Sequence, residues 1–108
     1  MKFGDVVLLD YPFTDASGSK RRPGLVLLPE SDGDILFARI TSKEREGEFD
    51  IALEDWKSIG LAYPSIVRLS KMVSLHTNLV LRQIGVLSAP DAESILNALG
   101  KMIRQIKR

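Results

Sequence analysis

The sequence predicts a mainly β fold with minor α content: a small twisted β-barrel closed by one C-terminal helix. Three observations predict it. Short apolar runs rich in Val, Ile and Leu recur between turn signals. No helical pattern separates the early runs, so a parallel sheet with crossover helices is disfavoured. The one long stretch with helical periodicity is the last.

"VVLLDY", residues 6–11, is short, β-rich and closed by Pro12, and predicts a buried strand. "TDASGSKRR" predicts a loop by composition. "GLVLLPE" predicts a second buried strand, and "SDGD", residues 31–34, a tight turn in which Gly33 supplies positive φ. "ILFARITS" completes a hairpin over residues 24–42. Alternation puts Ile35, Phe37, Arg39 and Thr41 on one face of that strand. Leu36, Ala38 and Ile40 take the other and are expected to form the core.

"KEREGE" predicts an exposed connection and "FDIAL" a fourth short strand. "EDWKSIGLAYPS" predicts a helical turn followed by an irregular link. "IVRLSKMVSL", residues 66–75, predicts a fifth strand and "QIGVL", residues 83–87, a last one. Between them "HTNLVLR" fits a helical turn or a bend. Ser88 and Asp91 have capping-box spacing, with Pro90 early in the helix where it is tolerated. Ile95, Leu96, Leu99, Met102, Ile103 and Ile106 then form one apolar stripe. It can serve the core or a second subunit. Lys101, Arg104, Lys107 and Arg108 suit the negative end of the helix dipole.

A chain of 108 residues fits one domain, residues 1–108. Lys plus Arg number 15 against 14 Asp plus Glu, so any nucleic-acid site needs local clustering of charge. With no cysteine there are no disulfides, thiol nucleophiles or Cys-zinc sites, which is compatible with a cytoplasmic protein. No signal-peptide pattern and no membrane-length apolar run are read. His76 alone, with the acids scattered along the chain, argues against a metal centre and against a Ser-His-Asp triad. A capping or surface role suits it better.

The charge cluster that remains is Lys20-Arg21-Arg22, placed directly before Pro23. Arginine offers a fixed, permanently charged fork of donors that suits phosphate. Pro23 biases Arg22 toward an extended backbone. A solvated loop is the alternative. Thr41 ends the third strand, where its hydroxyl can reach a ligand. Arg68 sits among apolar neighbours and needs either an anion or an ion pair with a nearby acid.

"FGDVVLLDYPFTDASGSKRRPGLVLL", "ARITS", "GLAYPSIVRLSKMVSL" and "IGVLS", in that order and followed by a helix, resemble the PemK/MazF family of toxins from toxin–antitoxin pairs. The resemblance runs over about residues 3–106. It implies an SH3-like or CcdB–PemK-type barrel working as a homodimer. It also implies a metal- and cofactor-free endoribonuclease that cuts single-stranded RNA sequence-selectively and is neutralised by a cognate antitoxin. The family's catalytic arginine falls on Arg22 and its Thr/Ser on Thr41, while Arg68 matches an arginine used in some members. Ser19, Lys20, Arg21, Ser42 and Ser70 are then candidate RNA contacts. Two departures stand out. Ser70 replaces an acid found in several members, and the loop from Thr14 to Lys20 has Asp15 as its only acid. A CcdB-like gyrase poison and a barrel that binds RNA or protein without cutting remain open alternatives.

Overall fold

The computed structural model describes residues 1–12 and 18–107, leaving aside the side chains of Pro12 and Ser19. Asp15, and with it the departure read in that loop, lies outside the described residues. The strands are β1 (Asp5–Pro12), β2 (Ser19–Pro29), β3 (Asp34–Thr41), β4 (Asp50–Ala52), β5 (Ile66–His76) and β6 (Val80–Val86). Helix α1 is Trp56–Ile59 and α2 is Ala89–Ile106. All six strands form one antiparallel sheet in the order β4-β5-β3-β2-β1-β6.

The sheet curls but does not close, so the expected barrel is open. Its two edge strands, β4 and β6, are not paired to each other. β4 is only three residues long, and α1 follows it and packs on β6. Helical backbone therefore stands where a closing ladder would run. Gly85 makes this packing feasible: a methyl group there would overlap the carbonyl oxygen of Ile59. Because the obstacle is backbone, no rotamer change relieves it. Gly85→Ala is expected to cost about 3 kcal/mol, the upper end for overpacking. A lower urea midpoint at unchanged m-value would report it.

The apolar runs are continuous because both faces of the central strands are buried. Val6, Leu25, Ala38, Ile40, Val67 and Leu69 face one core, under Leu53, Ile59, Leu61 and Ile95. Val7, Leu9, Val26, Ile35 and Phe37 face a second, covered by Tyr11, Val73, Leu75 and Val80. The expected core face of β3 was thus half right. Ala38 and Ile40 are buried, but so are Ile35 and Phe37, whereas Leu36 is only half-buried. Burying a side chain of that size contributes roughly 1.5–3 kcal/mol, so the second core is no minor addition.

The expected turn at Asp32-Gly33 is present, with Gly33 at φ +93°. His76 caps a short 3₁₀ turn, Thr77–Leu79: its Nδ1 accepts from the Asn78 N–H at 3.1 Å. This turn settles the ambiguous "HTNLVLR" and lets β6 begin at Val80, earlier than expected.

The capping box on α2 is only half made. Ser88 Oγ accepts from the Asp91 N–H, but the Asp91 side chain does not return to Ser88. Instead its two carboxylate oxygens accept from the N–H groups of Glu54 (2.9 Å) and Asp55 (3.0 Å). Of the apolar stripe, Ile95 is buried and Leu99 and Met102 pack on the core. Leu96, Ile103 and Ile106 are more than half exposed, at 54%, 55% and 79%. At the far end of α2, Lys101 and Gln105 bind Glu48, and these contacts hold its carboxyl below the usual carboxylate range. No helix among the described residues is long and apolar enough to cross a membrane.

Candidate functional site

Lys20, Arg21 and Arg22 are not loop residues. They lie within β2, opposite Tyr11, Asp10 and Leu9 of β1. The β2 pairing with β3 starts only at Gly24, opposite Arg39, whereas β2 pairs with β1 all the way to Ser19. β3 meanwhile continues to Thr41 against β5. The two strands therefore part at Pro23, which has no N–H to extend a ladder.

A cavity of about 380 Å³ opens where they part. One wall is Lys20, Arg21, Arg22 and Pro23, and the other is Ile40, Thr41, Ser42 and Lys43. Gly60 to Tyr63, Ser65, Arg82 and Ile84 complete it. Five cations and, among the described residues, no acid line this cavity. Arg22 is half-buried and Thr41 is 7% exposed, so both are held by the fold. Thr41 Oγ1 accepts from the Lys43 N–H at 3.1 Å. That bond occupies an acceptor site of the hydroxyl and leaves its proton to donate.

The expected site residues separate into two groups. Arg22, Thr41, Ser42, Lys20 and Arg21 come together around the cavity. Ser19 opens β2 beside them, described by its backbone alone. Arg68 and Ser70 do not line it. Arg68 Nε is bound to Asp50 Oδ1 at 3.1 Å, and the Asp50 side chain is 3% exposed. The other oxygen of Asp50 accepts from the Gly47 N–H, so this carboxylate ties the 43–48 loop to β5. Ser70 is exposed at the irregular stretch where β5 shifts register against β3.

Arg68→Ala is accordingly expected to act first on stability. It leaves a nearly buried carboxylate without its charged partner, at a cost of about 1.5–3 kcal/mol. Chemical denaturation reads that loss directly.

Sequence reasoning missed Lys43 and Arg82, which line the cavity, and it missed Arg39. Arg39 stands opposite Gly24 on one side and Arg68 on the other. Its Nε is buried and, among the described residues, has no hydrogen-bond partner. Burial disfavours its charged form, and the Arg22 guanidinium adds to that. An arginine nonetheless stays protonated, so Arg39 adds fixed positive potential behind Arg22. The signal was visible as an arginine between Ala38 and Ile40, the same anomaly that singled out Arg68.

The acids are less scattered than expected. Glu30, Asp32 and Asp34 bring carboxylate oxygens within 4.8 Å of one another at the β2–β3 turn. They lie at the opposite end of that hairpin from the cavity. Glu30 is engaged by the Ser74 hydroxyl and Asp32 by the Asp34 N–H.

A curled antiparallel sheet with one C-terminal helix, and a cation-lined cleft where its central strands part, defines a class: small β proteins with positive charge concentrated at one cleft. Within it, the chain belongs to the PemK-like, MazF-like toxins of type II toxin–antitoxin systems, whose family model matches residues 2–103. No curated protein sequence is significantly similar to it. Its fold is similar to an endoribonuclease in complex with its cognate antitoxin from a mycobacterial species (TM-score 0.76, 18% identity, 95% of this chain and 94% of that one). It is equally similar to MazF in a MazE–MazF structure from Deinococcus radiodurans (0.75, 22%, 95% and 95%). The Mycobacterium tuberculosis toxin MazF-mt6 is a third such relative (0.70, 22%, 91% and 96%).

Proposed function

We propose that this toxin is a metal-independent endoribonuclease acting on single-stranded RNA in the cytoplasm. The observation that carries the reading is the meeting of Arg22 and Thr41 in a cavity lined, among the described residues, by five cations and no acid. The substrate supplies the nucleophile: a ribose 2′-hydroxyl attacks the adjacent phosphorus and the 5′-oxygen leaves. The products are a 2′,3′-cyclic phosphate and a 5′-hydroxyl end. The protein must align the attack and stabilise charge on the phosphorane. Arg22 supplies that charge from a half-buried, strand-held position. The Thr41 hydroxyl, oriented by the bond it accepts from the Lys43 N–H, donates its proton to a phosphate oxygen. Lys20, Arg21, Lys43 and Arg82 hold the neighbouring phosphates, with Ser19 and Ser42 beside them. Arg68, paired with Asp50, acts through its field and by positioning β5. Ser70, exposed beyond the cavity, contacts flanking RNA.

A homodimer suits the exposed Leu96, Ile103 and Ile106 on α2. A cognate antitoxin would neutralise the toxin by covering the cationic cavity. The test is incubation with mixed-sequence single-stranded RNA in excess EDTA, followed by end analysis. Discrete cuts with 5′-hydroxyl and cyclic-phosphate ends are expected. No cutting at any concentration overturns the reading, and gyrase-dependent DNA breaks would replace it with the CcdB-like one.

A further inference from the structure

The cationic cavity has a neighbour of equal size, about 380 Å³, and the two share Ser42 and Ser65 as a common wall. The neighbour differs in chemistry. Glu44, Glu54, Trp56 and Pro64 line it and, among the described residues, no cation does. It is therefore hostile to phosphate and has an aromatic surface beside two carboxylates. Neither carboxylate is ion-paired among the described residues.

The pocket rests on fixed supports. The backbone N–H of Glu54 is bound to Asp91, which is 1% exposed at the start of α2. Ser65 is buried, and its hydroxyl donates to the Tyr63 carbonyl at 2.7 Å, which stiffens the partition between the two cavities. Trp56 is half-buried against the first core, so its ring is not free to swing away.

Resting on the ribonuclease reading, we propose that this second cavity receives the base flanking the scissile phosphate and that it selects guanine. Single-stranded RNA is read by stacking unpaired bases on aromatic rings and by bonding their Watson–Crick edges. A carboxylate has acceptors only, and two of them lie side by side. Guanine alone presents two adjacent N–H donors, at N1 and at the 2-amino group. Adenine and cytosine each put a lone pair beside their amino group, facing the carboxylate. Uracil flanks its one N–H with two carbonyls. Phosphate on the cationic side and a donor-rich base on the acidic side also fix which way the nucleotide enters.

The test uses short uridine-rich oligomers, 2′-deoxy throughout so that nothing is cut. Each carries one guanine or, in its place, inosine, which lacks the 2-amino group. The natural chain is expected to bind the guanine oligomer about 10-fold more tightly than the inosine one, as a good bidentate pair allows. The double variant Glu44→Gln/Glu54→Gln should bind both alike, with no loss of affinity for guanine-free oligomers, since two charges that repel phosphate are gone, and with its denaturation midpoint kept. Equal binding of guanine and inosine by the natural chain overturns the proposal and leaves the cavity to a basic peptide side chain. So does a guanine preference that survives the double variant. RNA cutting is scored separately, so a chain that prefers guanine but cuts nothing refutes the ribonuclease reading alone.

Discussion

Arg22→Ala is expected to cut single-stranded RNA about 10²–10³ times more slowly than the natural chain, the usual cost of removing one donor aimed at developing charge. Arg22 is placed to do this because it sits inside β2, paired with Leu9, at the point where β2 leaves β3. Its backbone is set before substrate arrives, so little ordering is needed at the moment of reaction. RNA binding should fall much less than rate, and the log-affinity against log-salt slope should drop by about 0.7, as for any one phosphate contact on a single strand. Arg82→Ala is the comparison. Arg82 lines the same cavity but is exposed on β6. It should show the salt-slope change with only a small rate loss. Single-turnover cleavage and filter binding at several salt concentrations separate the two. Equal rate losses in both variants would mean that the cavity only binds.

Asp91→Ala is expected to cost as much stability as emptying a core position, although it removes only a carboxylate. The carboxylate is 1% exposed and accepts from two consecutive backbone N–H groups, at 2.9 and 3.0 Å. It also sits in the first turn of α2, where negative charge is favoured. Alanine removes two charge-assisted bonds and strands two donors, for a total of about 3 kcal/mol or more. For a domain of this length that is a fall of roughly 10–20 °C in Tm. Asp91→Asn keeps an acceptor and should recover part of it. Calorimetry on the three proteins measures the series. A fall below 3 °C for alanine would show that α2 does not anchor the Glu54-Asp55 segment through this side chain. Because Glu54 lines the second cavity, the same substitution should blur any base preference.

Several elements were legible because their causes are local. The Asp32-Gly33 turn follows from one dipeptide, and α2 follows from Ser88, Pro90 and the periodicity from Ile95 onward. Arg22 and Thr41 were legible through residue type and through the family pattern around them. Other features depended on partners far away in the chain. Nothing local says that the Lys20–Arg22 stretch is a strand. It becomes one because Leu9 to Tyr11 lie alongside it. Alternation predicts one buried face per strand, which places Ile35 and Phe37 away from the core. The curl of the sheet brings Val73, Leu75 and Val80 over the other face and buries it too. Asp91 was read as a capping residue from its spacing, yet its real partners are 36 and 37 positions away.

The sequence by itself determined the mainly β class, the family and the Lys20-Arg21-Arg22 cluster, since short-range pattern and composition are enough for these. Only the tertiary structure decided where those residues meet. Pro23 ends a ladder only if β3 is its neighbour, and Arg68 is consumed by an ion pair only because β4 brings Asp50 beside it. A site is a set of distances between segments remote in sequence, and the packing that fixes those distances is a property of the whole chain.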